Sequence, residues 1–166
     1  MARAFGRRSL DETMNLNTPI QNVATPGVRS ALDAHLTYTV GKTPEAATIS
    51  AWRFAVTAAI RDRVVTPWFE TTQKVYGGNR KRVYYLSMEF LIGRLLEDAV
   101  ANLGLEEEVR TAVADPGQDS ATIAMDEPDA ALGHGGLGRL AACCLDSMSN
   151  GGGHADGWGI LHADGP

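Results

Sequence analysis

A cluster of glycines between Gly133 and Leu140, GHGGLGRL, is the feature of this sequence most suited to chemistry. Gly135, Gly136 and Gly138 carry no side chain that would keep a ligand away from the backbone. The sequence that follows, LAACCLDSM, predicts a helix, whose free N–H groups and positive dipole end would face the loop. Such a loop binds anions, and phosphate is the obvious guest. The alternative is a tight turn whose glycines only permit close packing or positive φ.

The same residues also fit the dinucleotide-binding pattern G-x-G-x-x-G, through Gly133, Gly135 and Gly138. That pattern requires a strand directly before the first glycine. The preceding residues, DEPDAAL, supply acidic side chains and a proline instead. A small dinucleotide-binding domain is therefore the weaker alternative.

Two side chains are placed to act with this loop. Glu89 follows the apolar run Val83–Leu86, which predicts a buried parallel strand, and open α/β sheets bind ligands outside the carboxyl ends of their strands. Glu89 could therefore hydrogen-bond a sugar, or it could simply be the acid at a helix start. His134 lies inside the loop, where it could donate a hydrogen bond to an anion or face solvent.

Other reactive side chains offer less. Cys143 and Cys144 are adjacent, a spacing that suits neither a disulfide framework nor a C-x-x-C motif, and we expect both in the core. His154, Asp156 and His162 have no spacing that belongs to a recognised metal site, so no metal is predicted.

Helices dominate the elements that would hold these residues. A short helix is predicted over Val28–Val40 and ends at Gly41, and a longer one is expected to begin with Thr43 as its cap and Pro44 in its first turn. Apolar residues then recur at every fourth position, which aligns them on one helix ridge: Trp52, Val56, Ile60, Val64 and Trp68. Pro67 is expected to kink or break that helix.

The helix should end at Gly77, before the strand that precedes Glu89. From Glu89 the chain is expected to turn at Gly93 directly into a helix, LLEDAVANLGL. A further helix is predicted over Glu106–Ala114, and a last short strand over Trp158–His162.

Composition limits the classes of protein. The 166 residues are 44% hydrophobic and 21% charged, with a formal net charge of -5, which is typical of a soluble globular protein. The acidic balance argues against nucleic acid as a partner. No apolar run is long enough for a membrane span and no secretory signal begins the chain, so a cytoplasmic location without membrane contact is expected.

Two long runs, RKRVYYLSMEFLIGRLLEDAVANLGL and DEPDAALGHGGLGRLAACCLDSM, closely resemble the α-glucan (glycogen or maltodextrin) phosphorylase family, in the family's order and at about its separation. The helix that contains Trp52 and Trp68 looks similar too. The resemblance covers roughly Trp52 to Met148. It implies an enzyme, a glycosyltransferase that uses inorganic phosphate to release glucose 1-phosphate from an α-1,4-glucan, with pyridoxal phosphate as cofactor and a homodimer as the full-length assembly.

The resemblance also implies roles for individual residues. Gly135 and Gly136 match loop glycines whose amides approach the phosphates, and Leu137 matches a backbone contact to the glucosyl unit. Glu89 matches an acidic residue that lines the same pocket. His134 stands where the family usually has Asn, and the run after Met148 departs from the family's strand pattern.

The fold that the resemblance implies is α/β: the partial N-terminal Rossmann-like domain of a two-domain, GT-B type glycosyltransferase. We expect residues 1–26 to be a flexible tail and residues 27–166 an incomplete N-terminal phosphorylase domain. The family's cofactor lysine lies in the second domain, and the lysines here, Lys42, Lys74 and Lys81, match none of the cofactor-binding context. No complete catalytic set is therefore predicted, and the chain alone is expected to be inactive. The alternative is a non-catalytic module that binds glucan or associates with a phosphorylase.

Overall fold

A computed structural model describes residues 26–133 and 135–160 of the chain. The predicted tail, apart from residue 26, and the residues after 160 lie outside that range. The described residues begin with helix α1 (Val28–Ala34), continue as a π-helical segment (His35–Val40) and turn at Gly41, which has φ 74°. The predicted helix over Val28–Val40 is thus confirmed, with a wider second half.

Helix α2 (Ile49–Gly77) begins later than the sequence predicts. Thr43 and Pro44 start only a short 3₁₀ turn (Pro44–Ala46), and the cap of α2 is Thr48, whose hydroxyl accepts a hydrogen bond from the Ala51 amide at 3.3 Å. Both threonines have the extended backbone of a capping residue. Local sequence therefore could not decide between them.

Pro67 does not end α2, which continues for ten more residues to Gly77. Burial of the apolar ridge of α2 ends shortly before Pro67. Trp52, Val56 and Ile60 are buried, whereas Val64 is 43% and Trp68 58% exposed. Water can therefore reach the turn that the proline disrupts and hydrate the carbonyl left without a donor.

A cluster of helices holds nearly all the buried side chains. It consists of α1, the π-helical segment, the first half of α2 and three short helices, α3 (Leu96–Asn102), α4 (Glu106–Ala114) and α5 (Ser120–Met125). Trp52, Leu32 and Leu36 are fully buried at its centre. We call this part the helical cluster.

Strands and helix α6 (Gly135–Asn150) form the other part of the molecule. Strand β1 (Val83–Leu86) pairs in parallel with β4 (Ala155–Trp158), and β2 (Phe90–Gly93) pairs antiparallel with β3 (Ala130–Leu132). The coarse prediction of a helix-rich α/β fold is confirmed, and so is the parallel pairing of β1. The expected burial of β1 is wrong, because its outer residue Leu86 is 77% exposed.

Several predicted boundaries after residue 86 are wrong. The chain does not pass from Gly93 directly into a helix, since β2 occupies Phe90–Gly93. The last strand is Ala155–Trp158, earlier than the predicted Trp158–His162, of which residues 161 and 162 lie outside the described residues. Within the described part of the chain, no helix has both the length and the apolar character needed to cross a membrane.

An ion pair ties α2 to the end of α5 and makes stability depend on pH. Arg53 Nε donates to Asp126 Oδ2 at 2.9 Å, and this hydrogen bond holds the pKa of the Asp126 carboxyl below its usual value of 3.8. A lowered folded-state pKa stabilises the fold above the unfolded pKa, and this stability is lost as the pH falls through the folded value. We expect the urea midpoint to drop below about pH 4, and to drop less in Asp126→Asn and in Arg53→Gln. An Asp126→Asn variant with the unchanged acid profile would contradict this.

Candidate functional site

Strand pairing brings Glu89 to the glycine cluster. Phe90 lies opposite Leu132 in the antiparallel pairing of β2 and β3. Glu89, directly before β2, and Gly133, directly after β3, are therefore neighbours. The predicted position of Glu89, after the carboxyl end of β1, is confirmed.

Ser87 fixes the backbone at Glu89. Its hydroxyl donates to the Glu89 carbonyl at 2.7 Å and accepts from the Glu89 amide at 3.3 Å. Sequence reasoning missed this residue, although serine hydroxyls are known to hydrogen-bond the backbone two residues further along the chain. The half-buried Glu89 therefore leaves β1 in a defined direction.

Gly133 is required by the side chain of Glu89. Gly133 has φ 94°, and a Cβ atom added there would lie 2.5 Å from Glu89 Cδ and 2.8 Å from Glu89 Cβ. Any side chain at this position would therefore displace Glu89 and strain the backbone. In the sequence, Gly133 stood out as a member of the glycine cluster and of the dinucleotide pattern, but its contact with Glu89 was not predicted.

Gly138 has a packing role as well. A Cβ there would lie 3.0 Å from the Leu91 amide nitrogen and 3.3 Å from Leu91 Cβ. Because Gly138 has no side chain, α6 can approach the backbone of β2 closely. Gly133 and Gly138 are thus explained by backbone conformation and close packing, without a ligand.

Backbone conformation and close packing do not explain why residues 135 and 136 are glycine. Neither has a positive φ, and a Cβ at either position would have nothing within 4 Å among the described residues. They form the first turn of α6, where the predicted loop is already helical. Since glycine weakens a helix relative to alanine, neither turn geometry nor internal packing accounts for these two residues.

The first turn of α6 offers backbone donors. The first amides of any α-helix lack an intrahelical acceptor. Among residues 26–133 and 135–160, no carbonyl outside α6 accepts a hydrogen bond from Gly135 or Gly136. The Leu137 side chain beside them is 69% exposed. Residue His134 lies outside the described residues, so its predicted role stays a prediction.

The dinucleotide alternative loses its support, although for a different reason from the one predicted. A strand does precede the glycines, contrary to expectation, because Ala130–Leu132 forms β3. However, β3 runs antiparallel to β2, and the strand after α6 pairs with β1 instead. A dinucleotide site needs two parallel strands of one sheet joined by the helix.

Other predicted positions are corrected or limited. Cys143 is exposed and Cys144 half-buried, so their placement in the core is wrong, and both are free thiols. His154 Nε2 lies 4.0 Å from Asp156 Oδ1, so this half-exposed aspartate has a polar neighbour. In the part that the structure describes, no three His, Cys, Asp or Glu side chains gather to hold a metal.

The described lysines do not fit attachment of pyridoxal phosphate. Schiff-base chemistry needs a neutral amine, which burial away from water favours. Lys74 and Lys81 are exposed and Lys42 is half-exposed. No step through this cofactor is therefore assigned to these residues.

Comparison with known proteins relates the sequence of this chain to phosphorylases. A family model described as "Carbohydrate phosphorylase" matches residues 113–165, which include β3 and α6. Brain-form glycogen phosphorylase of Pongo abelii is 43% identical over 135 residues, covering 81% of this chain, and the human brain form gives the same values. The chain belongs to the phosphorylase family.

The match covers only part of those phosphorylases. The chain spans 16% of the length of the brain-form relatives and 17% of the human liver form, which is 42% identical over 143 residues. The predicted recognition of a phosphorylase segment is confirmed.

Gly133 gives a direct test of this geometry. Replacing Gly133 with alanine combines a positive φ, which costs roughly 1–2 kcal/mol for a residue with a Cβ, with displacement of Glu89. Urea denaturation followed by tryptophan fluorescence should show a stability loss of at least that size. Gly135→Ala is the matched control and should not destabilise the chain, because its Cβ enters open space. Equal stability of the two variants would contradict the described contact.

Proposed function

We propose that this chain supplies one wall of the active site of an α-glucan phosphorylase, an enzyme that uses inorganic phosphate to release glucose 1-phosphate from an α-1,4-glucan. In this wall the amides of Gly135 and Gly136 bind the phosphoryl group. Glu89, His134 and the Leu137 backbone contact the glucosyl unit. Glucan and phosphate are thus the proposed substrates, and the chain alone is inactive.

One observation carries this proposal. Gly135 and Gly136 have no structural reason to be glycine within the described fold, yet they stand at the positive end of a 16-residue helix. A ligand that must reach the backbone amides supplies the missing reason, because a side chain there would occupy its place. The adjacent Glu89 adds a hydrogen-bonding carboxylate for sugar hydroxyls.

The larger architecture belongs to the same proposal. Residues 27–166 would form an incomplete first Rossmann-like domain of a GT-B type enzyme, and residues 1–26 a tail. The two-stranded parallel sheet β1–β4 supports this, since a Rossmann-like sheet is parallel and larger. The second domain would provide the opposite wall, the cofactor lysine and the closure that excludes water. A homodimer of the complete enzyme is proposed with it.

A chimera tests the proposal. The aligned 135-residue segment of a glycogen phosphorylase would be replaced by the corresponding residues of this chain. We expect the chimera to form glucose 1-phosphate from maltodextrin and phosphate, and we expect Glu89→Ala within it to raise the KM for glucan and lower turnover. A chimera that elutes at the size of the parent enzyme and melts cooperatively but forms no product would refute the proposal.

A further inference from the structure

A cavity separate from the glycine cluster is lined by several positively charged side chains. It has a volume of about 700 Å³ and lies where the end of α2, the turn before β1, the end of α6 and the start of β4 meet. Residues Glu89, Gly135 and Gly136 are not part of its lining. Its polar lining residues include Lys74, Arg80, Lys81, His154 and Ser149.

The cations of this cavity lack carboxylate partners within the described residues. No ion pair or hydrogen bond joins the side chains of Lys74, Arg80 or Lys81 to another described residue. No acidic residue lines the cavity, and Asp156, which lies 4.0 Å from His154, is outside the lining. In the helical cluster, by contrast, Arg53 contacts a carboxylate.

Stabilisation of a cation by the carboxyl end of a helix accounts for only one of the three positive charges. Lys74 occupies the last turn of α2, where a cation is favoured by the helix dipole. Arg80 and Lys81 come after the helix and have no such reason to converge there. The side chains of Lys74, Arg80 and Lys81 are exposed, and an anion bound between them would lower their mutual repulsion.

Three glycines that line the cavity have structural roles of their own. Gly152 has φ 70°, and a Cβ at Gly153 or Gly157 would lie 3.1 Å from the Met148 carbonyl oxygen or 2.8 Å from Leu145 Cδ1. Their turn is already held, since the Gly153 amide donates to the Met148 carbonyl at 2.8 Å and the Gly152 amide to the Ser149 carbonyl at 3.0 Å. The donors available to a ligand are therefore the cationic side chains, the His154 ring and the Ser149 hydroxyl.

We propose that this cavity is a second anion site, which takes a small phosphate ester or polyphosphate between Lys74, Arg80 and Lys81. The volume is that of a site for a small organic ligand. Lysine and arginine are the side chains that proteins use to hold phosphate groups. This site is independent of the proposed phosphorylase chemistry, because it shares no lining residue with the glycine cluster.

Titration calorimetry on the full chain with inorganic pyrophosphate tests this site. We expect saturable binding that weakens at high salt, and at least about a tenfold loss of affinity in the double variant Lys74→Ala, Lys81→Ala. Lys42→Ala, Arg61→Ala is the matched control, because it removes the same charge elsewhere and should bind normally. Circular dichroism would establish that each variant retains its helices.

Three results would overturn the proposal. The first is absence of pyrophosphate binding by the unaltered chain. The second is an equal loss in both double variants, which would indicate an effect of net charge alone. The third is a loss of binding in Gly135→Pro that the cavity variant does not show, which would place the anion at the glycine cluster. Failure of the chimera would leave this test unaffected.

Discussion

Replacing Gly135 with proline in the chimera is expected to lower the rate of glucose 1-phosphate formation by roughly 10²–10³-fold, the usual effect of removing one preorganised donor from an anion-binding pocket. Gly135 is the first residue of α6, a position where proline is tolerated because its missing N–H has no intrahelical acceptor. The substitution therefore removes one donor and leaves the helix in place. Initial rates at saturating glucan measure the effect.

Gly135→Ala provides the matched control for that experiment. It adds a Cβ at the same position but keeps the amide, and open space surrounds this atom within the described fold. Alanine should also lower the rate, because its Cβ would occupy the place of the ligand, and a further loss with proline would be due to the missing N–H group. An alanine variant with the parent rate would contradict the need for glycine at residue 135, and equal losses with alanine and proline would contradict the amide contact.

Replacing Trp52 with alanine is expected to destabilise the helical cluster by about 3–5 kcal/mol, the usual cost of deleting a fully buried large aromatic side chain. Trp52 is the largest fully buried residue, and its indole Nε1 has no hydrogen-bond partner among the described residues. The loss is therefore one of packing. Against a total stability of roughly 5–15 kcal/mol, this change can unfold much of the population.

Urea denaturation followed by circular dichroism measures that change. Trp68→Ala is the control on the same helix, because Trp68 is exposed and its removal should change stability by less than about 0.5 kcal/mol. If both variants unfolded at the same urea concentration, the assignment of the core to the first half of α2 would be contradicted.

Elements with a strong local signal were predictable from the sequence. Strand Val83–Leu86 and helix Glu106–Ala114 have their predicted bounds. The first consists of β-branched, aromatic and aliphatic residues, and the second begins with three acidic residues that favour a helix start. Both preferences act within a few residues, so neighbouring elements did not need to be known.

Elements that depend on distant contacts were not predictable. Strands β2 and β3 are short, and their pairing joins residues about 40 positions apart in sequence. The start of α6 at Gly135 opposes the low helix propensity of glycine. In the candidate site, the location of Glu89 after a strand followed from local sequence, whereas its contact with Gly133 required the β2–β3 register. The binding roles of Glu89, Gly135, Gly136 and Leu137 stay predictions.

The unequal burial of the two parts of the molecule has a consequence for hydrogen exchange. The strands contain no buried residue within the described range, and α6 buries only Gly138 and Ala141. Each sheet has two strands and therefore depends for its stability on packing against α6. In deuterated buffer the amides of β1 and β4 should therefore exchange long before those around Leu32 and Val113, and a polypeptide that adds a strand beside β1 should slow the exchange of β1 selectively.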